Sequence, residues 1–332
     1  MMPNPSLIMD TVRAYQKTAA LSAAVTLDIF TTIAAGAQTA IAIADRSAAS
    51  EKGIRILCDY LVIMGLLEKQ EGLYSLTEDS ATFLNRNSPA YLGGMVEWTA
   101  RSQSVQASLT LADAVRKGGT ALEGSDITTD HDKWIGFARG MMNMMKPLSE
   151  TVAAVVSANN AQPGKVLDIA ASHGMYGISI AKHHPQAEIY AVDWEEVLTV
   201  AAENAEAAGI ASRYHLLPGS AFEVDFGNDY DLVLIPNFFH HFDLPTCQQF
   251  MEKVYSALKP GGRAVTVEFI PNPDRVTPPQ AAGFSLTMLT MTPGGDAYTW
   301  AEFEQIFHNA GFERNELVAL DPSPERAIIS YK

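Results

Sequence analysis

The chain has 332 residues, 47% of them apolar and 18% charged, enough for a sizeable core and for two domains or one large one. A formal net charge of −15 opposes binding to duplex DNA and to anionic membrane surfaces, where affinity rests largely on lysine and arginine. No apolar run is long enough to span a membrane, the first ten residues lack a basic segment followed by an apolar stretch, and Cys58 and Cys247 alone give no disulfide framework, so a cytoplasmic protein is expected.

The first 110 residues read as mostly helical. Ala24, Leu27, Phe30 and Ala34 recur near helical spacing and predict a helix over residues 21–35. Ser50 is placed to cap a second helix, with Glu51 in its first turn and Gly65 near its end. Its inward positions are Ile54, Leu57, Leu61 and Met64. Residues 66–69 and 73–76 flank Glu71-Gly72 and predict a β-hairpin. Helices followed by a hairpin make a winged helix. Residues 111–132, with Gly118-Gly119, Gly124 and the polar cluster Asp130-His131-Asp132, read as a connecting loop. Trp134 to Ala158 is helical again and turns Phe137, Met141, Met144, Met145, Leu148 and Val152 inward.

From Gly164 onward the pattern changes. Short apolar runs at residues 166–170, 188–192, 214–217, 232–235 and 264–269 alternate with helical stretches at 174–184, 197–209 and 245–258. Buried strands alternating with helices predict a doubly wound, mostly parallel α/β sheet of Rossmann-like type, which binds ligands beyond the carboxyl ends of its strands. The segments are therefore 1–110, a connecting loop and helix over 111–163, and the α/β domain over 164–332.

The first strand ends in Asp168-Ile169-Ala170-Ala171-Ser172-His173-Gly174, a cluster of small residues that lets a ligand approach the backbone. The next strand ends in Asp193, where a carboxylate can accept both hydroxyl hydrogens of a ribose. A nucleoside-bearing cofactor is expected. Ala170 and Ser172 stand where a dinucleotide fingerprint wants glycine, and Asp168 would repel a phosphate but favour a cation. The fourth strand runs into Asn237-Phe238-Phe239-His240-His241, which places two imidazoles where the cleft opens. Glu268 ends the neighbouring fifth strand, where a carboxylate can orient an imidazole. A metal is not expected, because adjacent histidines diverge and no third ligand has suitable spacing.

These residues resemble the two-domain, S-adenosylmethionine-dependent O-methyltransferases of the caffeic acid and acetylserotonin type, including their bacterial small-molecule branch. The likeness runs over nearly the whole chain: Leu21-x-x-Ala24-x-x-Leu27-x-Ile29-Phe30, Leu61-x-x-x-Gly65-Leu66-Leu67, Tyr74-x-Leu76-Thr77, Asp168 to Gly174, Asp193-Trp194, Gly219-Ser220-Ala221-Phe222, His240, and Leu258-Lys259-Pro260-Gly261-Gly262-Arg263. The resemblance implies that the first segment serves dimerisation, giving a homodimer, and that S-adenosylmethionine is the cofactor. It implies that Asp168, Ala170, Ser172, Gly174, Asp193, Trp194, Gly219, Ser220, Ala221, Phe222 and Asn237 hold this cofactor. His240 is implied as the catalytic base, with Glu268 beside it. Ser220 stands where the family often has an adenine-binding aspartate, and Ala297 where a second glutamate should flank the base, with Asp296 next to it as a substitute.

The expected reaction is displacement at the methyl carbon by a hydroxyl of a small aromatic or otherwise apolar acceptor, with His240 taking the proton. A phenol, with a pKa of about 10, is within reach of such a base. Met141, Met145, Phe238, His241, Phe284, Met288 and Met291 are the expected acceptor walls. C- or N-methylation, non-methylating chemistry, an inactive cofactor-binding protein and a winged-helix regulator remain as alternatives.

Overall fold

The computed structural model describes residues 3–122, 131–158 and 162–332. Gly124 and Asp130 of the expected connecting loop lie outside them. The chain forms two compact units, Met1–Ser102 and Gln103–Lys332.

In the first unit, α1 (Ser6–Thr26), α2 (Ile29–Ala34), α3 (Ala40–Arg46) and α4 (Glu51–Ile63) precede β1 (Leu67–Gln70) and β2 (Leu73–Leu76), followed by α5 (Glu78–Phe83) and α6 (Gly93–Thr99). The helix expected over 21–35 is broken. Asp28 takes a left-handed conformation with φ 53° between α1 and α2, which ends one helix and starts another. Ser50 caps α4 as expected, its Oγ accepting the Gly53 N–H at 3.1 Å. The hairpin also forms, with β1 antiparallel to β2 and Glu71 and Gly72 both at positive φ, as a two-residue turn between right-twisted strands requires. Asp59 of α4 accepts from Tyr74 Oη at 2.7 Å and from Arg55 Nη1 at 3.1 Å. This ties the hairpin to the helix over a core of Ile29, Phe30, Ile54, Leu61 and Leu67.

The chain continues through α7 (Ser102–Leu109), whose residues from Gln103 onward belong to the second unit, into α8 (Leu111–Lys117). Residues 111–117 are therefore helix, not loop. The glycines behind them, which suggest a loop, instead end the helix, with Gly118 at φ 79°. Next come α9 (His131–Ser157), β3 (Lys165–Ile169), α10 (Met175–His183), β4 (Glu188–Asp193), α11 (Glu195–Ala207), β5 (Tyr214–Pro218), β6 (Tyr230–Pro236), α12 (Leu244–Ala257), β7 (Leu258–Glu268), α13 (Pro279–Met291), α14 (Trp300–Asn309), β8 (Arg314–Ala319) and β9 (Arg326–Tyr331).

The sheet order is β5-β4-β3-β6-β7-β9-β8. Strands β3 to β7 are parallel, and β9 lies antiparallel between β7 and β8. Chain order reverses between β3 and β6, which opens a crevice at their carboxyl ends. The expected α/β architecture is present, with the two antiparallel strands added. Val233 and Ile235 of β6 and Ala264 of β7 are fully buried against Phe250, Phe303 and Phe307.

Candidate active site

The ends of the five parallel strands, β3 to β7, build the site. After β3 the backbone turns sharply: Ala170 has φ 50°, Ser172 φ 54° and Gly174 φ 75°. The two non-glycine residues sit in the region that glycine favours. Gly174 and Gly177 are needed for packing. A Cβ on Gly174 would stand 2.7 Å from Tyr214 Oη, and one on Gly177 would stand 2.7 Å from Ile189 Cγ2. Asp168 is fully buried; its Oδ2 accepts the Gly177 N–H at 3.0 Å and its Oδ1 has no partner. Burial pushes its carboxyl up to about 7. His173 accepts the Met175 N–H on Nδ1 at 3.1 Å, and burial pushes its imidazole down to about 4, so it is neutral.

At the end of β4 the Asp193 carboxylate accepts Ser172 N–H on Oδ2 and Trp194 N–H on Oδ1, both at 2.8 Å. Burial pushes this group up to about 6, against the pull of those two bonds. Each oxygen keeps a lone pair for a further donor. Trp194 is stacked on His131 of α9, with ring centroids 5.0 Å apart. Beyond β5, Gly219 at φ 134° donates its N–H to Asp193 O at 2.9 Å. Ser220 Oγ accepts the Phe222 N–H at 3.3 Å. Lys253 of α12, which sequence reasoning missed, fixes this loop: its ammonium donates to the carbonyls of Ala221 (2.9 Å), Phe222 (3.0 Å) and Val224 (2.7 Å).

At the end of β6, Asn237 has φ 53° and donates its N–H to Val267 O at 2.8 Å. The turn Phe239–His241 comes next. His240 Nδ1 lies 2.6 Å from Glu268 Oε2, while Glu268 Oε1 accepts the N–H groups of Phe239 (2.8 Å) and His240 (3.3 Å). Both side chains are buried, at 5% and 1% exposure. A carboxylate on Nδ1 sets the tautomer: Nδ1 carries the proton and Nε2 keeps its lone pair. The pairing expected between these two residues is present.

Phe284 of α13 stands edge-on to the His240 ring at 4.8 Å, and Phe269 stacks on Phe284 at 4.2 Å. His241 packs edge-on against Trp134 of α9 at 5.7 Å. Burial, then the neighbouring His240, holds its imidazole well below the usual range. Met141, Met145 and Met288 are buried and Met291 half-buried. Met145 Sδ accepts from Tyr176 Oη at 3.8 Å. Phe238 is not part of this apolar group. Its ring packs with Phe222, Phe242 and Phe250, an aromatic cluster that buries it.

Gly295 carries no local signal in the sequence. A Cβ there would stand 2.1 Å from His240 O, so the 292–296 loop reaches the base only because this residue is glycine. Asp296 does not take the place of the acid absent at Ala297. Its carboxylate faces Arg275 at 3.3 Å, and Arg275 also holds Glu302 at 2.6 Å.

Asp168 Oδ1, Ser172 Oγ, Tyr214 Oη, Asn237 Oδ1 and His241 Nδ1 are buried without partners. Buried polar atoms are normally paired, and of these orphans Asp168 Oδ1, Ser172 Oγ and Asn237 Oδ1 belong to the carboxyl ends of β3 and β6, where they suit a polar ligand. The loop offers small side chains, a ribose-compatible acid and an unpaired carboxylate oxygen, but no set of cations for phosphate. These donors and acceptors fit S-adenosylmethionine. Among the described residues, no group of three or more His, Cys, Asp or Glu side chains is placed to hold a metal ion.

Comparison with known proteins agrees. Residues 110–313 match the O-methyltransferase domain, and residues 9–86 match the O-methyltransferase dimerisation domain. The chain is 27% identical, over 92% of its length and 89% of the relative's, to 3-hydroxy-5-methyl-1-naphthoate 3-O-methyltransferase of Streptomyces sahachiroi. It is 26% identical, over 93% and 84%, to acetylserotonin O-methyltransferase of Mus musculus. A crystal structure from Nostoc punctiforme, provisionally named an O-methyltransferase, covers all of both chains at 49% identity with a TM-score of 0.95. Human N-acetylserotonin methyltransferase in complex with S-adenosylmethionine shares the fold at 23% identity, covering 98% and 97% with a TM-score of 0.87. The chain belongs to the O-methyltransferase family and is an S-adenosylmethionine-dependent O-methyltransferase.

Proposed function

We propose that the enzyme methylates a hydroxyl on a small aromatic or otherwise apolar metabolite, with His240 as general base and Glu268 as the group that orients it. The observation that carries this reading is the 2.6 Å contact of His240 Nδ1 with Glu268 Oε2 at the carboxyl end of β6. That contact leaves Nε2 free to take the acceptor's proton. Naphthoate and acetylserotonin in the relatives' names agree with the apolar residues around it.

Asp193 would bind the ribose hydroxyls, flanked by Trp194. Gly219, Ser220, Ala221 and Phe222 would border the adenine. Asp168, Ala170, Ser172, Gly174 and Asn237 would face the amino-acid end. When bound, S-adenosylmethionine supplies an activated methyl group. The residues of the chain do the rest: the β3 and β6 turns hold the cofactor against the acceptor, and Phe284, Met141, Met145, Met288 and Met291 exclude water. His240 receives the proton on Nε2 while Glu268 keeps the hydrogen bond on Nδ1.

The first unit, a winged helix in this reading, joins two copies into a homodimer. Its α1 exposes Leu7, Ile8, Met9, Val12 and Tyr15, more apolar surface than one helix of a monomer normally leaves in water. Two buried free cysteines suit a reducing, cytoplasmic setting. The test is methyl transfer from labelled S-adenosylmethionine to a panel of phenols. Transfer by the wild type and its loss in His240→Ala supports the reading, and transfer undiminished in His240→Ala overturns it.

A further inference from the structure

Tyr298 follows Ala297, where the base lacks a second acid, and has no part in the chemistry described so far. It is buried at 5% exposure, and its hydroxyl donates to Phe242 O at 2.6 Å. Burial raises the phenol above its ordinary value, so it stays protonated and donates. Phe242 closes the turn that carries the base, its own N–H donating to Phe239 O at 3.0 Å. Glu268 Oε1 holds the entry of that turn through the N–H groups of Phe239 and His240, and Tyr298 holds its exit. Cys247 Sγ also reaches Phe242 O, but at 3.7 Å and as a weak thiol donor. Tyr298 is itself anchored. Its ring packs edge-on against Phe303 of α14, with centroids 5.9 Å apart. The next residue, Thr299, caps α14 and donates its N–H to Glu302 Oε2 at 2.8 Å. Arg275 Nη2 grips both oxygens of Glu302, at 2.6 and 2.8 Å, and Arg275 Nη1 donates to Ala297 O at 3.4 Å.

We propose that Tyr298 is a positioning residue for the base: its hydroxyl fixes the exit of the 239–242 turn, so that the His240 imidazole stays aligned with Glu268. This rests on the reading of His240 as the base. One carboxylate oxygen, Glu268 Oε2, holds the ring, and it does so at Nδ1. Ala297 offers no second acid, and Asp296 faces Arg275. An imidazole held at one nitrogen swings about that bond whenever its backbone moves, and a small misplacement of a catalytic group is costly. Two side chains from different elements, Glu268 at the end of β7 and Tyr298 ahead of α14, pin the backbone on either side of His240 and remove this freedom. Tyr298 acts through a carbonyl and leaves both ring nitrogens to Glu268 and the acceptor. Steadying the backbone thus takes the place of a second acid beside the ring.

The test needs no acceptor, so it stands apart from the success or failure of the methyl-transfer assay. Full-length protein with isotope-labelled histidine, saturated with S-adenosylhomocysteine, is followed by NMR. The His240 ring signals are assigned by their disappearance in His240→Gln, and the exchange of the Nδ1 proton with water is compared between the wild type and Tyr298→Phe. This variant keeps the ring and its packing and deletes one hydroxyl. The Nδ1 proton should exchange about 3- to 10-fold faster in it, the worth of one hydrogen bond. S-adenosylhomocysteine affinity should stay within about twofold, because the substitution does not touch the cofactor residues. A bond that serves stability alone would lower the urea midpoint and leave the Nδ1 proton exchanging at the wild-type rate, and that result overturns the proposal. A loss of S-adenosylhomocysteine affinity with unchanged exchange also overturns it and assigns Tyr298 to the cofactor. If Tyr298→Phe does not fold, Arg275→Gln decides: it releases the anchored segment from the surface, and wild-type exchange of the Nδ1 proton in that variant overturns the proposal.

Discussion

Glycine restored at two positions of the β3 turn should separate stability from cofactor binding. Ala170 and Ser172 hold φ 50° and 54°, a conformation that costs a non-glycine residue about 1–2 kcal/mol. Glycine relieves that strain but loses about 0.5–1 kcal/mol of backbone entropy on ordering. Ala170→Gly should therefore gain about 0.5–1 kcal/mol. Ser172→Gly removes in addition a buried hydroxyl without a partner, whose desolvation costs about 1–3 kcal/mol, so its gain should be larger. The Ser172 hydroxyl is also placed to meet the cofactor. If it donates or accepts one hydrogen bond there, of about 0.5–1.5 kcal/mol, Ser172→Gly should weaken S-adenosylhomocysteine by about 3- to 10-fold. Ala170→Gly should leave binding unchanged. Urea unfolding without cofactor, read as a midpoint at constant slope, and calorimetry with S-adenosylhomocysteine measure the two effects. A midpoint unchanged or lowered in both variants would refute the strain argument, and unchanged affinity in Ser172→Gly would remove its hydroxyl from the site.

Gly295→Ala should push the 292–296 loop away from His240 O, where a Cβ would stand at 2.1 Å; methyl transfer should fall at least about 10-fold, consistent with misplacement of a catalytic group, while S-adenosylhomocysteine binding persists. Lys253→Met breaks three hydrogen bonds to the loop after β5, and KM for S-adenosylmethionine should rise about 5- to 20-fold, the worth of one or two charge-assisted bonds, with kcat little changed. The carboxyls of Asp168 and Asp193 are raised to about 7 and about 6, so the folded apo protein holds these protons more tightly than the unfolded chain. Their contribution to stability is present below the ordinary carboxylate range and is lost as pH rises through 6 to 7. A cationic cofactor prefers the ionised forms, so S-adenosylhomocysteine with its ammonium should bind about tenfold more weakly at pH 6 than at pH 8, and Asp168→Asn should flatten the limb near pH 7.

Much of this site is legible in the sequence because its residues lie directly after apolar runs. Val166-Leu167, Leu232 to Ile235 and Ala264 to Val267 are buried on both faces, and such strands announce themselves without alternation. Asp193, His240 and Glu268 then stand out as polar residues at or just past a strand's carboxyl end. The residues that escape a sequence reading are those whose place depends on non-local pairing. β8 is a half-exposed edge strand with no apolar run, and β9 is a single short run, so neither is identifiable. Gly295 and Lys253 act on backbone atoms of distant segments, His240 and the 221–224 loop, and sequence spacing carries no trace of such contacts. Phe238, expected as an acceptor wall, packs among Phe222, Phe242 and Phe250, contacts that sequence spacing does not report.

The most direct test of the account compares the wild type with His240→Gln in two paired measurements, S-adenosylhomocysteine affinity and single-turnover methyl transfer to a phenol that the wild type accepts. The variant is predicted to bind within about threefold of the wild type and to transfer the methyl group about 10²- to 10⁴-fold more slowly, the range expected for loss of a general base. Transfer at the wild-type rate, or loss of cofactor binding together with loss of rate, would contradict the assignment of His240 as the base.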